Sequence, residues 1–177
     1  MFLSHRHTLL LFPALFPGLA TVVSLAEDLD ALKLYLELER LRCDEKFDFK
    51  ISVDPDVDAD FLQVPPMLMQ PFVENAIWHG LMSKEGPGHL LINITQADST
   101  LTCTIADDGI GRKNPRSCRA KSATKHKSMG LRITADRIAM IQGENGTESP
   151  VKINDLVEPD GTTAGTEVII KMPVIEN

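Results

Sequence analysis

This sequence has too little of several things to support the most familiar kinds of site. It has three cysteines, Cys43, Cys103 and Cys118, an odd number at spacings that match no metal-ligand pattern. Neither a disulfide framework nor a zinc site is suggested by that arithmetic, and reduced thiols are the simple expectation. It also lacks a basic excess. Lys and Arg number 18 against 25 Asp and Glu, for a net charge of −7. A protein that grips nucleic-acid backbones needs the opposite balance, so no nucleic-acid partner is expected. There is no uninterrupted long apolar run either. The most apolar stretch, Leu9 to Val23, is broken by Pro13, Pro17 and Gly18, and a membrane span needs about 20 such residues. A signal peptide remains the minority reading of residues 1–23, with Arg6 ahead of the apolar part and small residues near Ala20. Internal repeats are absent.

What is present is ordinary globular composition, 43% hydrophobic and 24% charged over 177 residues. That suits one domain with a core and an appendage. The pattern predicts a helix from Ser24, with Glu27 completing a capping box and Leu25, Leu29, Leu32, Leu36 and Leu38 or Leu41 at helical spacing, to about Arg42. Phe47, Phe49, Ile51 and Val53 alternate as a strand ending at Asp54-Pro55, and an acidic loop runs to Asp60. Leu90 to Thr95 and Leu101 to Ile105 form a hairpin about Asp98-Ser99. Arg112 to Lys127 is a basic, turn-rich loop without acids. Met129 to Gln142 reads as a helix, and Val151 to Val157 with Thr166 to Met172 as a closing hairpin. Mixed order with mainly antiparallel strands and helices on one face predicts an α/β two-layer sandwich. The expected divisions are residues 1–23, a coupling helix at 24–45 and the main domain at 46–177.

One stretch organises the rest. In Gln70-Pro71-Phe72-Val73-Glu74-Asn75-Ala76-Ile77-Trp78-His79-Gly80, the residues Leu68, Phe72 and Ala76, flanked by Met69, Val73 and Ile77, make an apolar helix face. Gln70, Glu74 and Trp78 form a second row, and Pro71, Asn75 and His79 a third. A carboxylate, an amide and an imidazole thus converge on one surface. A solvated helix face would explain this row if it stood alone. Pro71 either kinks the first turns of this helix or marks its true first turn, and the kink is the favoured expectation. Two further clusters follow, Asp107-Asp108-Gly109-Ile110-Gly111 at the end of a strand and Ser128-Met129-Gly130-Leu131 ahead of a helix.

In order and spacing these three clusters resemble the N, G1 and G2 boxes of the GHKL, or Bergerat, ATP-binding fold. The run Pro65-Pro66, Gln70-Pro71, Glu74-Asn75-Ala76 and His79-Gly80, preceded by Tyr35-Leu36-Glu37-Leu38-Glu39-Arg40-Leu41-Arg42, resembles sensor histidine kinases of the LytS type, from about Ser24 to Pro173. The resemblance implies ATP and Mg2+ as cofactors. It implies that Asn75 is the magnesium ligand, with Glu74 and His79 beside it as catalytic candidates, and that Asp107 anchors adenine while Gly109 and Gly111 admit the base. Ser128, Gly130 and Leu131 are then expected at the phosphates, Thr166 near the adenine pocket, and the basic loop from Arg112 over the phosphates as a lid. Asp108 is expected to be a solvated loop acid.

The implied activity is transfer of the γ-phosphoryl of MgATP to a histidine on a dimerisation and phosphoacceptor domain, with a response regulator beyond it. A homodimer and a cytoplasmic location, attached to a membrane through upstream segments, are implied for a full-length kinase. The sequence departs from the pattern in three places. Ser128 stands where a Gly is usual. Pro71 stands where hydrolytic members of the superfamily carry a Glu. No acceptor motif of the Pro-His-Phe type occurs, at His5, His7 or elsewhere. A nucleotide-binding regulatory module without transfer, or a GHKL ATP hydrolase, are the alternatives.

Overall fold

A computed structural model describes residues 22–112, Ile138 and 149–175. Strand β1 (Val23–Ser24) leads directly into helix α1 (Leu25–Arg42). The start of α1 is held by its own sequence. Ser24 Oγ accepts the Glu27 N–H at 3.2 Å and Glu27 Oε2 accepts the Ser24 N–H at 3.1 Å, the expected capping box. The next free donors, Leu25 N–H and Ala26 N–H, reach the carbonyls of Leu62 and Ala59 at 2.8 Å each. Removing the hydroxyl with Ser24→Ala should therefore cost about 1 kcal/mol, read as a lower urea midpoint, because the other two donors keep their partners. An unchanged midpoint would show that the backbone pairing alone sets the helix start.

One face of α1 enters the core through Leu25, Leu29, Leu32 and Leu36. Leu38 and Leu41 do not continue that row, and both are exposed. From Leu36 the helical spacing of three leads to Glu39, then to Cys43 after the last turn, and both are buried. Arg42 pairs with Glu39 Oε1, while Glu39 Oε2 has no hydrogen-bond partner among the described residues. A carboxylate thus occupies a place that helical spacing assigns to Leu38 or Leu41.

The five-stranded sheet has the order β2 (Phe47–Val53), β4 (Gly88–Ala97), β5 (Thr100–Asp107), β7 (Thr163–Pro173), β6 (Val151–Val157), and β3 (Gln63–Val64) pairs with β1 in a separate ribbon. The β2–β4 pair is parallel and the others are antiparallel. Along β4 and β5 the residues alternate between the core and the other face. Leu90, Ile92 and Ile94 lie opposite Asp107, Ile105 and Cys103, and all six are buried. Among the described residues only one face of the sheet is covered, which is the two-layer arrangement the strand patterns predict.

Helix α2 (Gln70–Asn75) packs on that face through Phe72 and Val73, and continues as one turn of π-helix, Ala76–Gly80, then a 3₁₀ turn, Leu81–Ser83. Pro71 produces no kink. It lies in the first turn, where its missing N–H has no intrahelical acceptor to lose. The approach to this helix is tied to α1. Met67, at φ +60°, donates its N–H at 2.6 Å to Oδ1 of the buried Asp28. No helix among the described residues is long and apolar enough to cross a membrane.

Candidate nucleotide site

The two-residue period of β5 decides the site. Leu101, Cys103 and Ile105 point into the core, so the next residue in that row, Asp107, brings a carboxylate to the same face at the strand end. It is 5% exposed. Its Oδ1 accepts the Gly109 N–H at 2.9 Å, and the backbone N–H of Thr166, its partner across the β5–β7 ladder, also bonds the carboxylate. Burial pushes the Asp107 carboxyl up to about 6, and the neighbouring Asp108 charge adds to the rise. The Gly109 and Thr166 N–H groups and the Lys84 charge oppose it.

Glycines make the cage around this carboxylate. A Cβ on Gly80 would lie 2.6 Å from Asp107 Oδ1, and one on Gly109 would collide with the Gly80 backbone. The Ile110 N–H bonds the Gly80 carbonyl at 3.3 Å. Gly109 therefore serves first to let the loop after β5 touch the end of the π-turn. Gly111, at φ +68°, would press a Cβ to 3.1 Å from Thr163, whose Oγ1 donates to the Ile110 carbonyl at 3.0 Å.

Asn75 is the last residue of α2. Its Nδ2 donates to the Pro71 carbonyl at 3.0 Å. A carbonyl only accepts, so this contact fixes the amide orientation and turns Oδ1 away, without a partner among the described residues. The widened turn beginning at Ala76 then carries Trp78, His79 and Gly80, and π-turns of this kind are frequent at functional sites. His79 is half-buried there, one residue before the glycine that meets Asp107.

The row of Gln70, Glu74 and Trp78 faces α1 instead. Gln70 Nε2 donates to Glu74 Oε1 at 3.1 Å, Trp78 hydrogen-bonds Tyr35, and the Arg42 guanidinium lies 5.8 Å from the Trp78 ring centre. Burial, then the Glu74 and Glu39 charges, raise the Tyr35 phenol above its ordinary value. The structure thus groups Gly80, Asp107, Gly109, Gly111 and Thr166, sets Asn75 and His79 on the helix that ends in this group, and turns Glu74 to α1.

One expectation changes. Asp108, expected as a solvated loop acid, is only partly exposed and is paired: its carboxylate holds His89 and Lys84, with Lys84 Nζ at 2.8 Å. Arg112 donates from Nε to Asp155 Oδ1 at 2.8 Å and reaches the Ile153 carbonyl, both on β6. Ser128, Gly130, Leu131 and the rest of the basic loop lie outside the described residues. Sequence patterns alone do not single out Lys84, His89 and Thr163. Only the proximity of Lys84 and His89 to the ends of their elements hints at a role.

No protein-family model matches the chain. Among curated proteins it is 37% identical over 91 residues to the sensor protein LytS of Oceanobacillus iheyensis, which is 51% of this chain and 15% of that protein. Over 123 residues it is 27% identical to the sensor histidine kinase YesM of Bacillus subtilis, 70% of this chain and 20% of that one. The chain thus spans well under half the length of these relatives. Among solved structures, the mycobacterial sensor histidine kinase MprB superposes with a TM-score of 0.54 over 90% of this chain and 100% of its own, at 18% identity. Full-length ShkA in complex with AMPPNP gives 0.58 over 93% of this chain and 34% of its own, at 17% identity. The fold is that of the catalytic domains of histidine kinases. Within that class, the sequence likeness is to sensor kinases of the LytS type.

Proposed function

We propose that this chain is the ATP-binding catalytic module of a two-component sensor histidine kinase, transferring the γ-phosphoryl of MgATP to a histidine on a phosphoacceptor domain that in turn serves a response regulator. The observation that carries the proposal is Asp107, a buried carboxylate with two backbone donors and acceptor capacity to spare, enclosed by Gly80 and Gly109. Such a group suits the exocyclic amine of adenine and penalises guanine, whose carbonyl would face an acceptor. Asn75 Oδ1 is a hard oxygen ligand with no competing bond among the described residues, which fits magnesium, an ion that takes few protein ligands and keeps phosphate oxygens and waters. Among the described residues no cluster of three or more His, Cys, Asp or Glu could hold a metal by itself, consistent with a site completed by the nucleotide. When bound, the metal neutralises phosphate charge in the loose transition state of phosphoryl transfer. His79 and Glu74 are the adjoining candidates, His79 the better placed. Ser128, Gly130 and Leu131 are the proposed phosphate contacts.

Hydrolysis is a poorer reading. The residue one turn before Asn75 is Pro71, which offers no side-chain base, and its carbonyl is occupied by Asn75 Nδ2. A nucleotide-binding module that regulates a partner without transfer is the second reading, and the labelling test below distinguishes the two.

The test is labelling with γ-labelled MgATP. The chain alone should bind nucleotide but take up no stable label on histidine, because in-line transfer needs an imidazole docked about 3 Å from the phosphorus. A separate polypeptide bearing the acceptor helices of a related kinase should be labelled in trans, and Asn75→Ala should lower that rate by about a hundredfold or more. Acid-labile, base-stable label on the isolated chain that disappears in His5→Ala/His7→Ala would show instead that the N-terminal segment is the acceptor. No transfer to any acceptor, with nucleotide binding intact, would favour the regulatory module.

A further inference from the structure

The carboxylate beside the proposed adenine anchor is held more tightly than the anchor itself. Asp108 Oδ1 accepts the His89 N–H at 2.8 Å, and Oδ2 lies 2.7 Å from His89 Nδ1 and 2.8 Å from Lys84 Nζ. The Asp108 N–H returns to the His89 carbonyl at 3.2 Å. His89 stands at the start of β4, and Lys84 directly follows the 3₁₀ turn that leaves the Gly80 end of the site. Hydrogen bonds and the Lys84 charge hold Asp108 below the usual carboxylate range despite its partial burial. An ionised carboxylate only accepts, so Nδ1 carries the ring proton.

We propose that Lys84 and His89 are positioning residues for the adenine pocket: by gripping Asp108 they fix the rotation of the β5 end, and with it the direction in which Asp107 presents its carboxylate. The inference rests on the reading of Asp107 as the adenine anchor. Consecutive residues of an extended chain face opposite ways, so a roll that releases Asp108 from His89 also swings Asp107 out of its glycine cage. The clamp also separates two like charges. Asp107 and Asp108 are adjacent carboxylates, and the Lys84 ammonium lies against the outer one, which leaves the inner one free to stay buried. The ion pair and the hydrogen bonds are partly exposed, and such contacts add little to global stability. Their effect falls on orientation, and a readout of orientation separates it from a structural role.

The experiment uses the full chain and measures ATP and GTP affinity by calorimetry, with a urea midpoint for every variant. The double variant His89→Ala/Lys84→Met should bind ATP about tenfold more weakly, with its preference for ATP over GTP narrowed by a similar factor and its urea midpoint close to that of the parent. Single His89→Asn should stay within about threefold of the parent, because its side-chain amide can donate to Asp108 where Nδ1–H did, whereas His89→Ala should not. If the parent binds ATP and the double variant keeps both affinity and preference, the positioning role is wrong and the nucleotide reading stands. His89→Asn no better than His89→Ala, or weakened binding that follows a collapsed midpoint with the preference intact, would also overturn it. A parent that binds neither ATP nor ADP at millimolar concentration would remove the nucleotide reading and the clamp's role together.

Discussion

Asp107→Asn should weaken ATP and ADP binding by about a hundredfold while leaving the fold in place. The substitution is nearly isosteric, so the glycine cage around the side chain is not disturbed, and the Gly109 N–H keeps an oxygen to bond. What changes is the other half of the group. An amide nitrogen would then present donors where the carboxylate offered acceptors, to an incoming amine that is itself a donor. Guanine, which carries a carbonyl at that position, should lose much less affinity, so the ATP to GTP preference should fall or invert. Calorimetry with the three nucleotides reads this directly. An unchanged ATP affinity in the variant would show that Asp107 does not contact the base.

The same substitution has a signature in stability. The Asp107 carboxyl is raised from 3.8 to about 6, chiefly by burial. Between those values the folded chain keeps a proton that the unfolded chain has lost, so this group's contribution is fully present below about pH 4 and is lost as pH rises through about 6. The difference corresponds to about 3 kcal/mol. Asn cannot ionise, so Asp107→Asn should gain on the parent protein across that interval and hold its gain above it. Taking the difference between the two proteins cancels the titration of groups they share. ATP binding by the parent should weaken as pH falls below about 6, since the ionised form is the one that accepts from the amine. Parallel stability curves for parent and variant from pH 4 to 7 would mean that the folded pKa is not raised.

Features that depend on one element's own period are legible in the sequence. The capping box of Ser24 and Glu27, the buried stripe of Phe72, Val73, Ala76 and Ile77, and the alternation of β4 and β5 are all local patterns, and the structure repeats them. The alternation also contains the inward direction of Asp107, since it shares a row with Cys103 and Ile105. Features that depend on what another element supplies are not legible. Asp108 looks solvated in the sequence because its partner His89 is 19 residues away, and nothing local to Arg112 signals its pairing with Asp155, 43 residues on. Helical spacing cannot say that Glu39 takes a buried position while Leu38 and Leu41 stay outside, because burial is set by the neighbouring surface and not by hydrophobicity alone. Pro71 offers two local solutions, a kink or a first turn, and the turn fixed by Met67 and Asp28 selects the second. Gly109 and Gly111 suggest, by sequence, room for a base. In the structure several glycines first make room for the chain, and the largest consequence of that follows from Gly165.

Gly165→Ala should destabilise the protein by about 3 kcal/mol or more and weaken nucleotide binding in the fraction that stays folded. Gly165 lies in β7 at φ +132°, a conformation that L side chains rarely adopt, immediately before the residue paired with Asp107. A Cβ there would fall inside the carbonyl oxygen of Asp107, with Asp107 C at 2.8 Å and Asp108 Cα at 3.0 Å. These are backbone atoms of a neighbouring strand, so no side-chain rotation relieves the overlap, and the β5–β7 ladder must open at the end that holds the site. Opening it takes the Thr166 N–H away from the Asp107 carboxylate, which is why binding and stability should fall together. Gly161→Ala is the matched comparison. Gly161 also has a positive φ, +83°, in the turn between β6 and β7, but among the described residues nothing lies within 4 Å of where its Cβ would stand, so only the backbone strain is felt, about 1 kcal/mol. Urea denaturation of the two variants separates strain from collision. If Gly165→Ala costs no more than Gly161→Ala, the strands part there without penalty and the close approach of β7 to Asp107 is not what holds the carboxylate in place.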